Sequence, residues 1–333
     1  MNSSTFKAMV VRESSQGIFT RNVEQKSFND LPENNVLIKV NYSSLNYKDV
    51  LSAMGNKGVT RVYPHTPGID AAGIVEQSNT TNFKKGDPVI VTGYDLGMNT
   101  SGGFAEYVRV PENWVVPLPK NLTLKESMMY GTAGFTAGLA CHKILEHGVT
   151  RDKGPVLVTG ATGGVGSIAV AILSKIGYEV TALNGHHDRS DYLKSIGASH
   201  VLALDEVTGT REKALLAQKW SAVVDAVGGS VLEFAIKSVV SHGIVTTCGN
   251  VGSAEFTSSV YPFIIRGITL SGIDSATTPM PLRRTIWDKL AGPWKNDILC
   301  AIISELPDLE SLDLQIEQIV NHTRTGRAIV NVS

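Results

Sequence analysis

The central part of the chain alternates between short apolar runs and amphipathic stretches. Residues 156–158 form a β-branched run, which predicts a buried strand. Apolar residues between Val165 and Ile176 recur at helical spacing, and residues 180–183 predict a second strand. Helical stretches separate further strand-like runs, which lie at residues 201–204, 222–227, 244–248 and 268–270. This alternation indicates an α/β fold, with a parallel sheet that is covered on both faces.

A glycine-rich turn joins the first of these strands to its helix. Residues 155–166 have the sequence PVLVTGATGGVG, so alanine stands at the first position of the spacing Ala161-x-Gly163-x-x-Gly166. Glycines let the backbone approach a pyrophosphate closely, and a helix N-terminus offers it free N–H groups and a positive dipole end. Because strand, turn, helix and strand follow within about 30 residues, we interpret this as a dinucleotide site and not as an ordinary tight turn.

The first 120 residues have a different pattern. Short strand-like runs separated by Gly and Pro turns predict a compact β-rich domain, and they lie at residues 8–11, 36–40, 74–75, 89–91 and 107–110. Residues 124–145 are mostly helical in pattern, with an interruption at 131–134, and residues 312–332 predict a helix and a terminal strand that return to the first domain. We therefore assign residues 1–124 and 267–333 to the β-rich domain and residues 125–266 to the dinucleotide-binding domain.

Composition excludes several classes of partner. The 333 residues include 30 basic and 31 acidic side chains, with no basic patch for nucleic acid. No apolar run approaches the roughly 20 residues of a membrane span, and the N-terminus lacks the apolar core of a signal peptide. Cys141, Cys248 and Cys300 form no CxxC pair and no even disulfide set. We interpret them as reduced thiols of a cytoplasmic protein.

Several motifs, taken together and in order, resemble one known family. The segments LPENNVLIKVNYSSLNYKD, PGIDAAG, GGFAEYV, MMYGTAGFTA, VLVTGATGGVG and GRAIV resemble the medium-chain dehydrogenase/reductase superfamily. The segments LNYKD, YGTAGFTA, YPFIIRG and GIDS are most similar to its zinc-free quinone-oxidoreductase branch, of the YhdH/YhfP type that includes acrylyl-CoA reductase. The resemblance covers essentially the whole chain. It implies a GroES-like catalytic domain made from both chain ends, a Rossmann-type doubly wound sheet, a cleft between the domains and a homodimer.

The same resemblance raises the question of a metal. Zinc enzymes of this superfamily use a cysteine and a Gly-His-Glu segment as ligands, and the corresponding positions here resemble Asn46 and Gly68-Ile69-Asp70. Isoleucine cannot coordinate zinc, and three cysteines cannot supply the four-cysteine lobe of the zinc enzymes. We expect no metal site.

Without a metal a simple carbonyl is hard to polarise, but hydride addition to the β-carbon of an α,β-unsaturated carbonyl remains feasible. Tyr47 lies in the segment that replaces the zinc-ligand region, so we expect it to border the nicotinamide and to donate a proton; a packing role, with water as the donor, is the alternative. Asn46 and Asp49 would hydrogen-bond the substrate or orient Tyr47, and a structural salt bridge is the alternative for Asp49. Thr132 would present its hydroxyl near the nicotinamide, or cap a helix.

The end of the second strand bears on the choice of cofactor. An acidic residue there usually holds the ribose of NAD, whereas a 2′-phosphate requires a neutral or basic site. The strand ends at Asn184, and Arg189 follows at a distance that lets it reach a phosphate, which favours NADP(H). His186 stands where YhdH-type proteins more often have arginine, and histidine is a poorer anchor at neutral pH. Arg327 resembles a terminal arginine that lies near the cofactor in this group, with an edge-strand surface charge as the alternative.

The expected cofactor contacts come from the strand ends, the glycine turn and the resemblance. They are Tyr47, Thr132, Thr136, Ala161, Thr162, Gly163, Gly164, Val165, Asn184, Gly185, His186, Arg189, Cys248, Gly249, Asn250, Ile273, Asp274, Ser275 and Arg327.

The predicted function is an NADPH-dependent reductase of activated carbon–carbon double bonds, most similar to acrylyl-CoA reductase. The alternatives are an NADPH quinone reductase and a non-catalytic NADPH-binding sensor or structural protein. The expected substrate is a small enone, enoyl-CoA or quinone. No basic cluster marks a site for a CoA phosphate, and the scattered candidates are Arg61, Lys84, Lys85 and Arg266.

Overall fold

The computed structural model describes residues 5–185, 187–207, 213–321 and 323–333, with only the backbone of His187. The chain forms two compact units. Unit 1 comprises the described residues up to Thr132 together with Ala276–Ala291 and Ile303–Ser333, and unit 2 comprises those of Ala133–Ser275 together with Gly292–Ile302.

Strands and helices alternate in unit 2, whereas strands dominate unit 1. In chain order the strands are β1 (Thr5–Glu13), β2 (Phe19–Ser27), β3 (Val36–Leu45), β4 (Asp70–Ser78), β5 (Pro88–Thr92), β6 (Tyr107–Val110), β7 (Val115–Pro117), β8 (Val156–Val158), β9 (Val180–Asn184), β10 (His200–Ala203), β11 (Trp220–Asp225), β12 (Val239–Thr247), β13 (Thr269–Gly272), β14 (Ile303–Leu306) and β15 (Arg327–Asn331). The helices are α1 (Tyr47–Ala53), α2 (Leu124–Glu146), α3 (Gly164–Lys175), α4 (Ser190–Ser195), α5 (Gly229–Ser238), α6 (Tyr261–Arg266), α7 (Met280–Ala291), α8 (Leu299–Ile302) and α9 (Leu312–Val320). No helix among the described residues is long and apolar enough to cross a membrane.

In the sheet of unit 1, the ends of three strands from distant parts of the chain lie next to one another. Its strand order is β14-β15-β3-β4-β5-β7, and β6 also pairs with β3. The antiparallel register sets Ala328 of β15 opposite Leu45, and Tyr42 of β3 opposite Ala72 of β4. Consequently the end of β3, the start of β4 and the start of β15 lie side by side.

Apolar residues on one face of these strands form the core of unit 1. The core includes Val36, Ile38 and Val40 of β3, and α9 adds Leu312 and Ile316. Strand alternation places such residues on one face of the sheet, and the helical spacing of four places the α9 pair on one face of that helix. This packing fixes the corner between β3 and α1, where the candidate chemistry lies.

Unit 2 contains the parallel sheet that the apolar pattern predicts. Its order is β10-β9-β8-β11-β12-β13, and each adjacent pair is parallel. Renumbered from β8, this is the doubly wound order 3-2-1-4-5-6, which reverses between β8 and β11. Ligands of such sheets bind beyond the carboxyl ends of the strands at that reversal.

The structure differs from the sequence-based expectations at several boundaries. The expected domain limits were 124/125 and 266/267, whereas the units change near Gly131, where α2 is kinked. Residues 267–275 lie in unit 2 because β13 pairs with β12. Strand β2 was not predicted because its sequence FTRNVEQKS has no apolar run and no residue of it is fully buried.

Candidate active site

The corner between β3 and α1 fixes the position of Tyr47. Asn46 has extended backbone dihedrals (φ −124°, ψ 161°) and precedes the helix. The Asp49 carboxylate, one turn into the helix, accepts a hydrogen bond from the Asn46 backbone N–H at 2.8 Å, which satisfies one free donor at the helix start. Tyr47 is therefore the first helical residue, and it is 42% exposed. Tyr47 is therefore not a fully buried core residue; its packing role, like its role as proton donor, stays a prediction.

Asp49 is fully buried and joins α1 to the loop before β4. Its Oδ1 accepts hydrogen bonds from the backbone N–H groups of Gly68, at 3.1 Å, and Ile69, at 2.8 Å. Among the described residues no ion pair involves Asp49, so the salt-bridge alternative is wrong. Burial, with a contribution from the nearby Asp70, raises the pKa of Asp49 to about 7, and the hydrogen bonds from Asn46 and Ile69 oppose this rise.

Asp70, the first residue of β4, is a buried acceptor for several chain segments. Its carboxylate accepts from Ser44 Oγ at 2.5 Å, from Asn46 Nδ2 at 2.7 Å and from Thr132 Oγ1 at 2.6 Å. The Thr132 backbone N–H donates to the same carboxylate at 2.9 Å. Asp70 therefore accepts both the backbone N–H and the hydroxyl of Thr132 at the kink of α2; the helix cap by Thr132 stays a prediction.

A glycine makes this approach possible. Gly131 has φ +50°, and a Cβ atom there would lie 2.4–2.6 Å from Ser44 Oγ, Asp70 Oδ2 and Arg327 Nη2. A side chain at position 131 would therefore collide with the carboxylate and its partners, and its positive φ also favours glycine. The interruption at residues 131–134, visible in the sequence as a break in the helical pattern, is the point where α2 meets Asp70.

Arg327 completes this cluster. It is 3% exposed, and its guanidinium donates to Asn46 Oδ1 at 3.2 Å and to Ser44 Oγ at 2.8 Å. Its Nη2 lies 3.8 Å from Asp70 Oδ2. Burial lowers the pKa of Arg327, and the two carboxylates oppose that change. An edge-strand surface charge is wrong because β15 lies between β14 and β3; the expected cofactor contact of Arg327 stays a prediction.

We call these side chains the Asp70 network; its members are Ser44, Asn46, Asp49, Asp70, Thr132 and Arg327. The Asn46 amide is occupied within it, since Nδ2 donates to Ser44 O and Asp70 and Oδ1 accepts from Arg327. Within the described part of the chain, no group of three or more His, Cys, Asp or Glu side chains has the arrangement of a metal site. Tyr47 and Lys48 are the exposed polar side chains of this corner.

Two members of the network, Ser44 and Asp70, were not among the predicted site residues. The sequence placed Asp70 only at a position that resembles the zinc-ligand region. A buried serine at the end of a strand carries no local signal, because its partner lies 26 residues away. The motif PGIDAAG, with a charged residue at the start of an apolar strand, was the available signal for Asp70.

The glycine turn of unit 2 has the close packing that dinucleotide sites require. A Cβ atom at Gly166 would lie 2.3 Å from Gly160 O and 2.7 Å from Ala161 Cα, both of them rigid backbone atoms. Gly163 precedes α3 and has no capping side chain, so the first N–H groups of the helix have no intrahelical partner. Ala161 is buried, while Gly163 is exposed. The other predicted residues of this turn, Thr162, Gly164 and Val165, are partly exposed.

Asp225 joins the carboxyl ends of three strands of unit 2. Its carboxylate accepts hydrogen bonds from Thr159 Oγ1 at 2.7 Å, from Thr247 Oγ1 at 3.0 Å and from the Gly228 backbone N–H at 3.1 Å. Burial raises the pKa of Asp225, and these hydrogen bonds oppose the rise. Asp225 was not among the site residues that the sequence predicted.

The predicted turns after β12 and β13 lie at the same edge of the sheet. Cys248 N–H donates to Asp225 O at 2.9 Å, and Ile273 N–H donates to Thr247 O at 3.0 Å. Burial raises the pKa of Cys248 to about 12, so it remains a neutral thiol. The neighbouring predicted residues differ in exposure: Asn250 and Asp274 are exposed, and Gly249 and Ser275 are partly exposed.

The second strand of unit 2 ends as predicted, at Asn184, which is 4% exposed. Gly185 is exposed, and His186 lies outside the described residues. Arg189 is partly exposed, with its Nε 3.5 Å from Asp188 Oδ2. Thr136, on α2, is buried.

Two of the scattered basic candidates for a CoA phosphate have other partners. Arg266 is buried, and its guanidinium donates to the backbone carbonyls of Leu216, Lys237 and Val239. Lys85 forms an exposed ion pair with Glu76. The structure therefore gives Arg266 a role in holding unit 2 together.

Comparisons with known proteins agree with this architecture. Residues 32–120 match the alcohol dehydrogenase GroES-like domain family, and residues 164–290 match the zinc-binding dehydrogenase family. The Bacillus subtilis protein YhfP, described as a candidate quinone oxidoreductase, is 44% identical over 99% of this chain and 100% of its own. Its crystal structure with NAD bound has a TM-score of 0.96.

Two further relatives are similar over nearly their whole length. The acrylyl-CoA reductase AcuI of Ruegeria pomeroyi is 41% identical over 98% of this chain and 99% of its own. The YhdH oxidoreductase of Salmonella enterica, solved in complex with NADP, is 36% identical, covers 98% of this chain and 100% of its own, and has a TM-score of 0.95.

Proposed function

We propose a reductase function from one premise: the chain belongs to the medium-chain dehydrogenase/reductase superfamily, in its quinone-oxidoreductase branch of the YhdH/YhfP type. The proposed activity is the NADPH-dependent reduction of an activated carbon–carbon double bond, as in an acrylyl-CoA reductase. The observation that carries it is the exposed Tyr47 phenol beside the buried Asp70 network, in the segment that resembles the metal-ligand region of the zinc enzymes.

Unit 2 fits NADP(H). At Gly166 the glycine turn packs too closely against the backbone of Gly160 and Ala161 to admit a Cβ atom, and the N-terminus of α3 offers free N–H groups to a pyrophosphate. Asn184, Gly185 and Arg189 would surround the adenosine ribose and its 2′-phosphate. When bound, NADPH supplies the hydride for the β-carbon of the substrate. The relatives have been crystallised with NADP in one case and NAD in another, so the preference is part of the proposal.

The residues of unit 1 would act on the charge that develops on the substrate. Addition at the β-carbon of an enoyl thioester moves an electron pair onto the carbonyl oxygen, and a fixed donor stabilises that oxygen. Tyr47 is the proposed donor, and it then supplies the proton for the α-carbon directly or through water. Asn46 and Asp49, whose polar groups are occupied by internal hydrogen bonds, would position Tyr47 and not bind the substrate.

A quinone reductase is the second candidate, because the Bacillus subtilis relative is described as a candidate quinone oxidoreductase. A non-catalytic NADPH-binding protein is the third. NADPH oxidation with a panel of enones, enoyl thioesters, quinones and saturated aldehydes separates these three. We expect turnover of conjugated carbonyl compounds, and robust aldehyde reduction without turnover of any conjugated acceptor would refute the proposal.

Tyr47→Phe tests the role of the phenol. If Tyr47 donates the proton or stabilises the enolate, kcat should fall by about 100-fold, the low end for general acid catalysis, with little change in NADPH affinity. Tyr261→Phe, at another exposed tyrosine, is the matched control. Full activity of Tyr47→Phe would leave water as the proton source.

We also propose a cytoplasmic homodimer without bound zinc. Light scattering after size exclusion measures the oligomeric state, and elemental analysis measures the zinc content.

A further inference from the structure

A pair of arginines lies at the turn that leads into β15. Arg324 and Arg327 are three residues apart, and Arg327 is buried in the Asp70 network. Arg324 is partly exposed, and its Nη2 donates to the hydroxyl of Ser304 on β14. The Ser304 hydroxyl in turn donates to the backbone carbonyl of Arg327 at 3.2 Å.

Arg324 has no acidic partner in the part of the chain that the structure describes. Within the described ranges no carboxylate lies within 4.0 Å of its guanidinium, and its hydrogen-bond partner is a neutral hydroxyl. The nearest acid along the chain from Ser304 is Glu305, whose carboxylate forms an ion pair with Lys125 at 2.6 Å. Adjacent residues of a strand point to opposite faces, so Glu305 does not share the face of Ser304.

This arrangement concentrates positive charge at the turn before β15. Partial burial lowers the pKa of Arg324 to about 10, and the charge of Arg327 adds to that shift. A guanidinium has five N–H donors in a planar fork, and Ser304 uses one. Two neighbouring arginines, one of them without an acidic partner, produce a locally positive surface that an anion would stabilise.

We propose that Arg324 and Ser304 form a subsite for a phosphate group. An arginine fork matches the geometry of phosphate oxygens and can bind two of them at once, and the hydroxyl of Ser304 adds a second donor. The choice of ligand rests on the proposed function, because a CoA thioester and NADPH both carry phosphate groups. Arg324 was not among the basic residues that the sequence offered as candidates for a CoA phosphate site, and Ser304 carried no signal in the sequence.

Calorimetric titration of the full-length protein, without turnover, tests the subsite. The probes are CoA, dephospho-CoA, NADPH, NADH and inorganic pyrophosphate, each against wild type, Arg324→Gln and Arg324→Lys. Losing charged hydrogen bonds to a phosphate should weaken the affected ligand by about 10- to 100-fold in Arg324→Gln. Arg324→Lys keeps the positive charge but not the planar guanidinium, so its affinity for the ligand should fall less than that of Arg324→Gln.

The pattern across the probes identifies the phosphate. A loss confined to CoA and absent for dephospho-CoA assigns the 3′-phosphate, a loss for both assigns the diphosphate, and a loss confined to NADPH and NADH assigns the cofactor. Arg109→Gln, which removes the same charge from unit 1 at a partly exposed position, should leave every affinity unchanged. Unchanged affinities for all five probes in folded Arg324→Gln would overturn the proposal.

Two further outcomes remain informative. If wild type binds pyrophosphate through Arg324 but neither CoA nor NADPH, the subsite stands and the proposed function fails. If Arg324→Gln does not fold, Ser304→Ala, at an exposed strand position, replaces it in the titrations with the five probes. Unchanged affinities in Ser304→Ala would count against the subsite.

Discussion

Units 1 and 2 each bury a carboxylate that accepts hydrogen bonds from several segments, but the partners differ. Among the residues that the structure describes, Asp225 of unit 2 accepts hydrogen bonds only from neutral donors: the hydroxyls of Thr159 and Thr247 and backbone N–H groups. Asp70 of unit 1 accepts from side-chain and backbone groups too, but it also lies near the charged Arg327 and shifts the pKa of a second carboxylate, Asp49.

This difference separates two ways of building a site. In unit 2 the side chains of Thr159, Asp225 and Thr247 hold strand ends together, and the groups proposed to face the ligand are backbone atoms of a glycine turn. In unit 1 the backbone brings together side chains with opposite charges, Asp70 and Arg327, next to the corner that fixes Tyr47. A substitution that removes charge should therefore damage unit 1 more, and one that adds bulk should damage cofactor binding by unit 2.

The largest effect is expected from Asp70→Ala. The substitution leaves Arg327 buried without its acidic neighbour, which should lower the free energy of unfolding by about 3–5 kcal/mol. Asp225→Ala leaves only neutral donors unpaired, at a cost of about 1–3 kcal/mol. Urea unfolding measures both. Equal losses of unfolding free energy in the two variants would mean that the charge of Arg327 adds nothing to the cost of removing Asp70.

A pH effect of similar size is expected from Asp49. Its pKa is about 7 in the folded protein and near 3.8 in the unfolded chain, so between these values the folded state binds more protons. The free energy of unfolding should therefore fall as pH rises from about 4 to 7, by up to about 4 kcal/mol, and level off above pH 7. Asp49→Asn removes this titration. Parallel pH profiles for wild type and the variant would contradict the raised pKa.

A smaller effect is expected from Arg189→Ala. Loss of a charged contact with the 2′-phosphate should weaken NADPH binding by about 1.5–3 kcal/mol and leave NADH binding nearly unchanged. Fluorescence titration with both nucleotides measures this, and Lys194→Ala, at an exposed position of α4, is the control. Tighter binding of NADH by the wild type would reverse the proposed preference.

The smallest effect is expected from Gly166→Ala. The added Cβ atom would press on Gly160 O and Ala161 Cα, and overpacking of this kind costs about 1–3 kcal/mol. NADPH affinity should fall accordingly, while the stability of unit 1 stays the same. Gly58→Ala, where a Cβ atom would meet only a side-chain oxygen at 3.1 Å, is the control. Unchanged affinity in Gly166→Ala would show that the turn adjusts.

The same contrast explains what the sequence could predict. The parallel sheet and glycine turn of unit 2 depend on neighbouring residues, so periodicity and the 155–166 segment were enough. The Asp70 network joins residues 44–49, 70, 132 and 327, and no spacing rule connects such positions. The corner of Asn46, Tyr47 and Asp49 was predicted from a resemblance, whereas the partners of Asp49 and the role of Asp70 required the fold.

The proposed reaction adds hydride to the β-carbon of a conjugated acceptor. The most direct measurement uses NADPH deuterated at C4 of the nicotinamide, a small enoyl thioester, and NMR of the product. We expect a saturated thioester with deuterium on the β-carbon and a solvent proton on the α-carbon. Deuterium on the carbonyl carbon, in an aldehyde or alcohol product with the double bond intact, would contradict it.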